Sequence, residues 1–255
     1  MKNDLLKPFF VRNKPFTTRE FSRFHSLSRP RTASALSRFV AQKHLLHLKR
    51  GVYLPISHKG LTPEESFSDP FVVIPTVFPM SYIGGWSMAS HWGLTEQLFQ
   101  SVSVLSEKAV HVSEKHIGRY QFFLFKAPLP FALGVDSIWI EGQQIPVSNV
   151  HRTMVDMIEN PRCAGGIQNV IDCAKIYFKE FYSFEVFTSY ATSVKKGVFF
   201  KRLGYLIEMF FDIDHPLCVL AKSRITKGAS PIDSHIKCEK LITRWNLFIN
   251  EGLDI

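Results

Sequence analysis

Three side chains of the 255-residue chain, His91, His151 and Asp156, are of types that exchange protons near neutral pH. His151 and Asp156 stand five apart, which places them on different faces of a helix. No H-E-x-x-H or G-x-S-x-G occurs, and no nucleophile–base–orienter order is visible. The spacing therefore predicts structural roles, with Arg152 and Asp156, four apart, expected to pair. Cys163-Ala164-Gly165-Gly166 could offer free amides to an anion, but it lacks the lysine and serine of a phosphate loop. It reads as a tight turn into a helix. Cys163, Cys173, Cys218 and Cys238 form no C-x-x-C pair, and no His lies at zinc-finger spacing from them. No metal site, cofactor or catalytic centre is expected.

Contact with a polyanion is the chemistry that the charge does favour. Residues 1–60 hold thirteen Lys and Arg against Asp4 and Glu20, a net +11, whereas residues 61–255 hold 18 basic and 20 acidic residues, a net −2. The excess of the whole chain, +9, thus sits in its first quarter. A charge so confined is the footprint of a nucleic-acid-binding unit.

The elements that must present this charge can be read in order. Leu5, Leu6, Phe9 and Phe10 predict a short helix over 5–12. Thr17-Thr18-Arg19-Glu20 opens a second, with Glu20 three residues after Thr17 as in a capping box, and it should end near Ser26. Ser28-Arg29-Pro30 opens a third, running to about His44, because serine suits a cap and proline the first turn. Its apolar side is expected to be Ala33, Leu36, Phe39 and Val40. Its other side, Arg31, Ser34, Ala35, Arg38 and Gln42, carries small or basic residues and no acid, as a major-groove helix requires. Leu45-Leu46-His47-Leu48 and Val52-Tyr53-Leu54-Pro55 flank Lys49-Arg50-Gly51 as a hairpin with a doubly basic tip. Three helices and a basic hairpin make a winged helix-turn-helix over residues 1–58. Thr18, Arg19, Arg29, Arg31, Thr32, Ser34, Arg38, Gln42, Lys49 and Arg50 are its expected contacts to double-stranded DNA.

Residues 56–68 read as a linker, and a larger mixed α/β (α+β) domain is expected over 62–255, long enough to fold alone. A helix within Glu64 to Phe78 should begin it. Strands are expected at Gln100–Leu105, Tyr120–Phe125, Asp136–Ile140 and Ile145–Val147. Helices are expected at Trp86–His91, Val150–Glu159, Ile167–Phe181, Phe184–Lys195 and Lys201–Phe211. The isolated thiols, the lack of a signal-peptide pattern and the brevity of the apolar stretch from Phe71 to Ile83, broken by Pro75 and Pro79, predict a cytoplasmic protein with no membrane contact. Lys195, Lys196, Lys201 and Arg202 form a second basic cluster, the candidate surface for a partner or for further phosphates.

Several segments are similar to one family. They are Tyr82 to Gln97 (YIGGWSMASHWGLTEQ), Val147 to Ile158 (VSNVHRTMVDMI), Pro161 to Gly166 (PRCAGG) and Lys201 to Glu208 (KRLGYLIE). With Arg50-Gly51-Val52-Tyr53 and Arg244 to Asn250 (RWNLFIN), they resemble, in order, the AbiEi antitoxins of the AbiE abortive-infection toxin–antitoxin systems. The resemblance implies an autorepressor that binds inverted repeats near its own promoter through the winged domain. It also implies that the C-terminal domain neutralises a nucleotidyltransferase-type toxin, AbiEii. A stand-alone regulator with a sensor domain, or an enzyme targeted by a winged domain, are the alternatives from other classes.

Overall fold

The computed structural model describes residues 4–12, 14–56, 69–250 and 253. The expected linker falls almost wholly outside these residues, as does the start of the helix expected from Glu64. The chain has a mixed α/β fold.

The first unit is α1 (Lys7–Arg12), β1 (Phe16–Thr17), α2 (Thr18–His25), α3 (Arg29–Ala41) and the hairpin β2 (Leu45–Lys49) and β3 (Val52–Pro55). The strands pair in the order β1-β3-β2, all antiparallel. Leu6, Phe9, Phe16, Phe21, Leu36, Phe39 and Leu45 make a core of their own between helices and sheet. This is the arrangement of a winged helix-turn-helix, with β1 the additional short strand.

The second unit is built on a six-stranded sheet. Its strands are β4 (Ser81–Ile83), β5 (Ser101–Ser106), β6 (Glu114–Ile117), β7 (Tyr120–Lys126), β8 (Val135–Ile140) and β9 (Gln143–Ser148), in the order β6-β7-β5-β4-β9-β8. The β5/β7 and β4/β9 pairs are parallel and the rest antiparallel. Alternation along each strand divides the sheet into two apolar faces. Tyr82 and Leu105 join the core of α6 (Val150–Glu159), α7 (Ile167–Glu180), α8 (Phe184–Ser193), α9 (Gly197–Ile207) and α10 (Pro216–Arg224). Ile83, Val102, Val104, Phe122, Ile145 and Val147 face the other way. That second face is covered by the short helices over 70–77 (α4, Ile74–Val77, at their end) and by Leu48, Val52 and Leu54 of the hairpin. The hairpin therefore serves two cores. Fragments cut between the units would each bare apolar surface.

Most expected elements lie within a few residues of their predicted ends. α9 begins a turn earlier than expected, at Gly197, where a Cβ would meet Thr226 at 2.3 Å. The strand β4, only three residues long, was below the length at which alternation is legible. The sequence reading also missed β6, α5's glycine start (α5, Gly85–His91), α10 and a small C-terminal sheet of β10 (Ser230–Pro231), β11 (Lys240–Ile242) and β12 (Leu247–Ile249). That sheet seats Trp245 on α9, where a Cβ at Gly204 would lie 2.1 Å from the indole.

Candidate nucleic-acid interface

α2 starts on the expected capping box. Thr17 Oγ1 accepts from Glu20 N at 3.1 Å, and Thr17 N donates to Glu20 Oε2 at 2.5 Å. It closes with Leu27 N donating to Ser22 O and Ser26, at φ 50°, in the left-handed region. α3 then starts after Ser28, whose hydroxyl makes no cap bond; Thr32 Oγ1 donates instead to Ser28 O at 3.0 Å. α3 ends earlier than expected. Lys43 takes φ 55° and His44 N donates to Phe39 O, a Schellman closure achieved without glycine.

These ends set the phase of α3. Thr32, Ala35, Leu36 and Phe39 are buried. Arg31, Ala33, Ser34, Arg38 and Gln42 are exposed. Thr32 and Ala35 are therefore core residues, not DNA contacts, and Ala33 exchanges places with them. The rest of the expected outer face, Arg31, Ser34, Arg38 and Gln42, is exposed on one side; Arg29, also exposed, opens the helix on the side opposite Arg38. Arg38 lies 5.3 Å from the Phe39 ring centroid. Among the described residues, none of Arg19, Arg29, Arg31, Arg38 and Arg50 has a carboxylate within ion-pair distance. Thr18 is half-buried, its N donating to Gly51 O at 2.8 Å, which ties the start of α2 to the hairpin tip.

The two tip cations part company. Arg50 is exposed. A bulge between His47 and Lys49 turns Lys49 toward the second unit, where Nζ donates to Val77 O at 2.6 Å. Burial holds this ammonium below its usual range, with Lys108 adding to the effect. Lys115, on β6, lies 5.8 Å from the Phe78 ring and is lowered by burial and by Lys49. Lys49 on the hairpin, Lys108 in the loop after β5 and Lys115 on β6 thus approach one corner. Their sequence spacing gives no sign of it. Lys14 Nζ, donating to Gly142 O at 2.5 Å, is a second tether between the units.

The cluster expected at Lys195, Lys196, Lys201 and Arg202 is not one surface. Lys201 is 1% exposed, its Nζ donating to Gly228 O at 2.6 Å and Ser230 Oγ at 3.0 Å. Arg202 is buried, donating to Ile232 O, Glu159 O and Ile158 O. Lys196 pairs with Glu159, and of the four only Lys195 is exposed without an ion-pair partner among the described residues. α9 starts early enough to carry Lys201 and Arg202 into its packed middle.

Of the acid–base candidates, His91 is exposed at the end of α5, and Asp156 and His151 are engaged in internal hydrogen bonds. Arg152 and Asp156 pair as expected, at 2.8 Å, both fully buried. Arg152 also donates to Tyr82 Oη at 2.6 Å and to the carbonyls of Leu129, Pro130 and Leu133, and Tyr82 donates to Asp156 at 2.8 Å. Burial pushes the Asp156 carboxyl up to about 6 against the pull of Arg152. His151 Nδ1 shares a 2.8 Å hydrogen bond with the Tyr177 hydroxyl. The glycines after Cys163 make a tight turn, with Gly165 N donating to Arg162 O and Gly166 N to Pro161 O. No group of three or more His, Cys, Asp or Glu side chains among the described residues could hold a metal. No described helix is long and apolar enough to cross a membrane.

No protein-family model matches the chain, and no curated protein does. Among solved structures it is similar to the crystal structure of the RV2827C protein from Mycobacterium tuberculosis, with a TM-score of 0.61 and 12% identity over 95% of this chain and 89% of that one. At that identity the likeness shows the mixed α/β fold.

Proposed function

We propose that this protein is a DNA-binding transcriptional regulator whose α3 enters the major groove. The observation that carries the reading is the outer face of α3: Arg31, Ser34, Arg38 and Gln42 exposed on one side, without an acid, next to a hairpin tip that presents Arg50. Small side chains there allow close approach, and Arg and Gln reach base edges in bidentate fashion. Arg19, Arg29 and Arg50 meet phosphates on either side of the groove. Lys108 and Lys115 continue the positive surface from the hairpin.

The resemblance to AbiEi antitoxins extends this reading. The bound DNA is then an inverted repeat near the protein's own promoter, and the second unit counteracts a nucleotidyltransferase-type toxin encoded beside it, in the cytoplasm. A gel-shift titration against the upstream region at two salt concentrations tests DNA binding; affinity should fall steeply with salt as counterions are released. No shift at low salt with any fragment of the operon would remove the proposal. Co-expression with the adjacent reading frame, scored by growth, tests the antitoxin role separately.

A further inference from the structure

α10 has apolar residues on both sides. Leu217, Cys218 and Ala221 face the core, and Val219 points outward, 60% exposed. Beside it is an open groove of about 570 Å³ between Ile213, itself 43% exposed, Val219 and Trp245, with Lys222 and Arg244 on its rim. The adjoining hollow, before the helix starts, is lined by Asp212 and Asp214, both exposed. Charge is therefore graded along this edge, with acids ahead of the helix, an apolar centre and a lysine near its end. Lys222 lies 5.6 Å from the Trp245 ring and gives one hydrogen bond to Arg244 O, which leaves two of its N–H groups for another acceptor.

We propose that α10 is a self-association surface, pairing antiparallel with α10 of a second copy across a two-fold axis near Val219. A patch ringed by one sign of charge suits a partner of the other sign. A patch with acid at one end and base at the other is complementary to itself when turned through a two-fold rotation. Asp214 precedes the helix and Lys222 stands in its last turn, so antiparallel pairing brings each acid toward the partner copy's lysine and each Val219 toward its mate. Another exposed apolar pair, Val11 and Phe24, lacks this property: Arg12 lies 5.8 Å over Phe24, and Arg19 and Arg23 are nearby in sequence. Two copies meeting there would oppose like charges.

The test is sedimentation velocity of the full chain over a wide concentration range, without DNA, so that its outcome does not depend on the DNA-binding reading. The parent should show a concentration-dependent dimer. Val219→Glu should abolish it while the circular dichroism spectrum and melting midpoint stay those of the parent. Asp214→Lys and Lys222→Glu should each weaken the dimer at least tenfold, and the double variant, which restores opposite charges across the axis, should recover most of that loss. A parent monomeric at every concentration overturns the proposal. So does a folded double variant no tighter than the singles.

Discussion

Arginine and lysine appear in two settings in this molecule, with opposite consequences. On α3 and the hairpin tip, Arg29, Arg31, Arg38 and Arg50 are exposed, and no carboxylate among the described residues pairs with them. In the second unit, Arg152, Lys201 and Arg202 are buried, and each is held by carbonyl, hydroxyl or carboxylate oxygens of its own chain. A cation whose donors are already used cannot recruit a phosphate without breaking its own fold. A cation whose donors face water can do so at little cost. The local density of basic residues does not separate the two cases; the supply of internal acceptors does.

The comparison is broken most directly at Arg152. Arg152→Ala leaves Asp156 buried without its partner and should cost about 3–5 kcal/mol of stability. Arg152→Lys should recover only part, since an ammonium cannot match the planar fork. Urea denaturation measures both, and a loss below about 1 kcal/mol would mean that the buried network is dispensable. Arg202→Ala should cost about 1–3 kcal/mol by orphaning the carbonyls of Ile232, Ile158 and Glu159, without altering operator preference in the fraction that remains folded.

Arg38→Ala should do the reverse. Stability should stay within about 0.5 kcal/mol of the parent, while operator binding weakens by about 1–3 kcal/mol and discrimination at one base pair relaxes. A competition assay against single-base operator variants reads this directly, and an unchanged profile would take Arg38 off the base edges.

Lys49 and Arg50 sharpen the contrast within one turn. Arg50→Ala should lower the slope of log affinity against log salt by about one. Lys49→Met should leave that slope closer to the parent's and lower the melting midpoint, because its ammonium is committed to Val77 O. Equal slope changes from both would show that the hairpin swings free on DNA.

The smallest effect is one of pH. Burial holds the His151 imidazole below its ordinary value. Folding therefore favours the neutral ring: its contribution is whole above the unfolded value of about 6.5 and is lost as pH falls through the lower folded value. Asp156, raised by burial, works in the opposite sense, its contribution being present at low pH and lost as pH rises through about 6. The difference between the parent and His151→Gln isolates the first: the parent should lose more stability than the variant on going from neutral to mildly acid buffer.

Much of the first unit was decided by neighbours in sequence. The capping box at Thr17 and Glu20, the left-handed Gly51 in the hairpin and the exposed stripe of Arg31, Ser34, Arg38 and Gln42 rest on interactions within a few residues, so the pattern carries them. The same holds for the pairing of Arg152 with Asp156 on one helix face. The phase of α3 was legible only to within one residue per turn, because Ala33 and Ala35 are equally small and only packing against Phe21 and Leu45 selects which is buried. Tertiary structure alone decided the rest. Lys49 faces inward because a carbonyl 28 residues away accepts its hydrogen bond, and Lys201 and Arg202 because Gly228, Ser230 and Ile232 return beside α9. Backbone acceptors have no residue type and leave no mark in a sequence, so whether a lysine is a structural strut or a free charge is settled only when the chain folds back on itself.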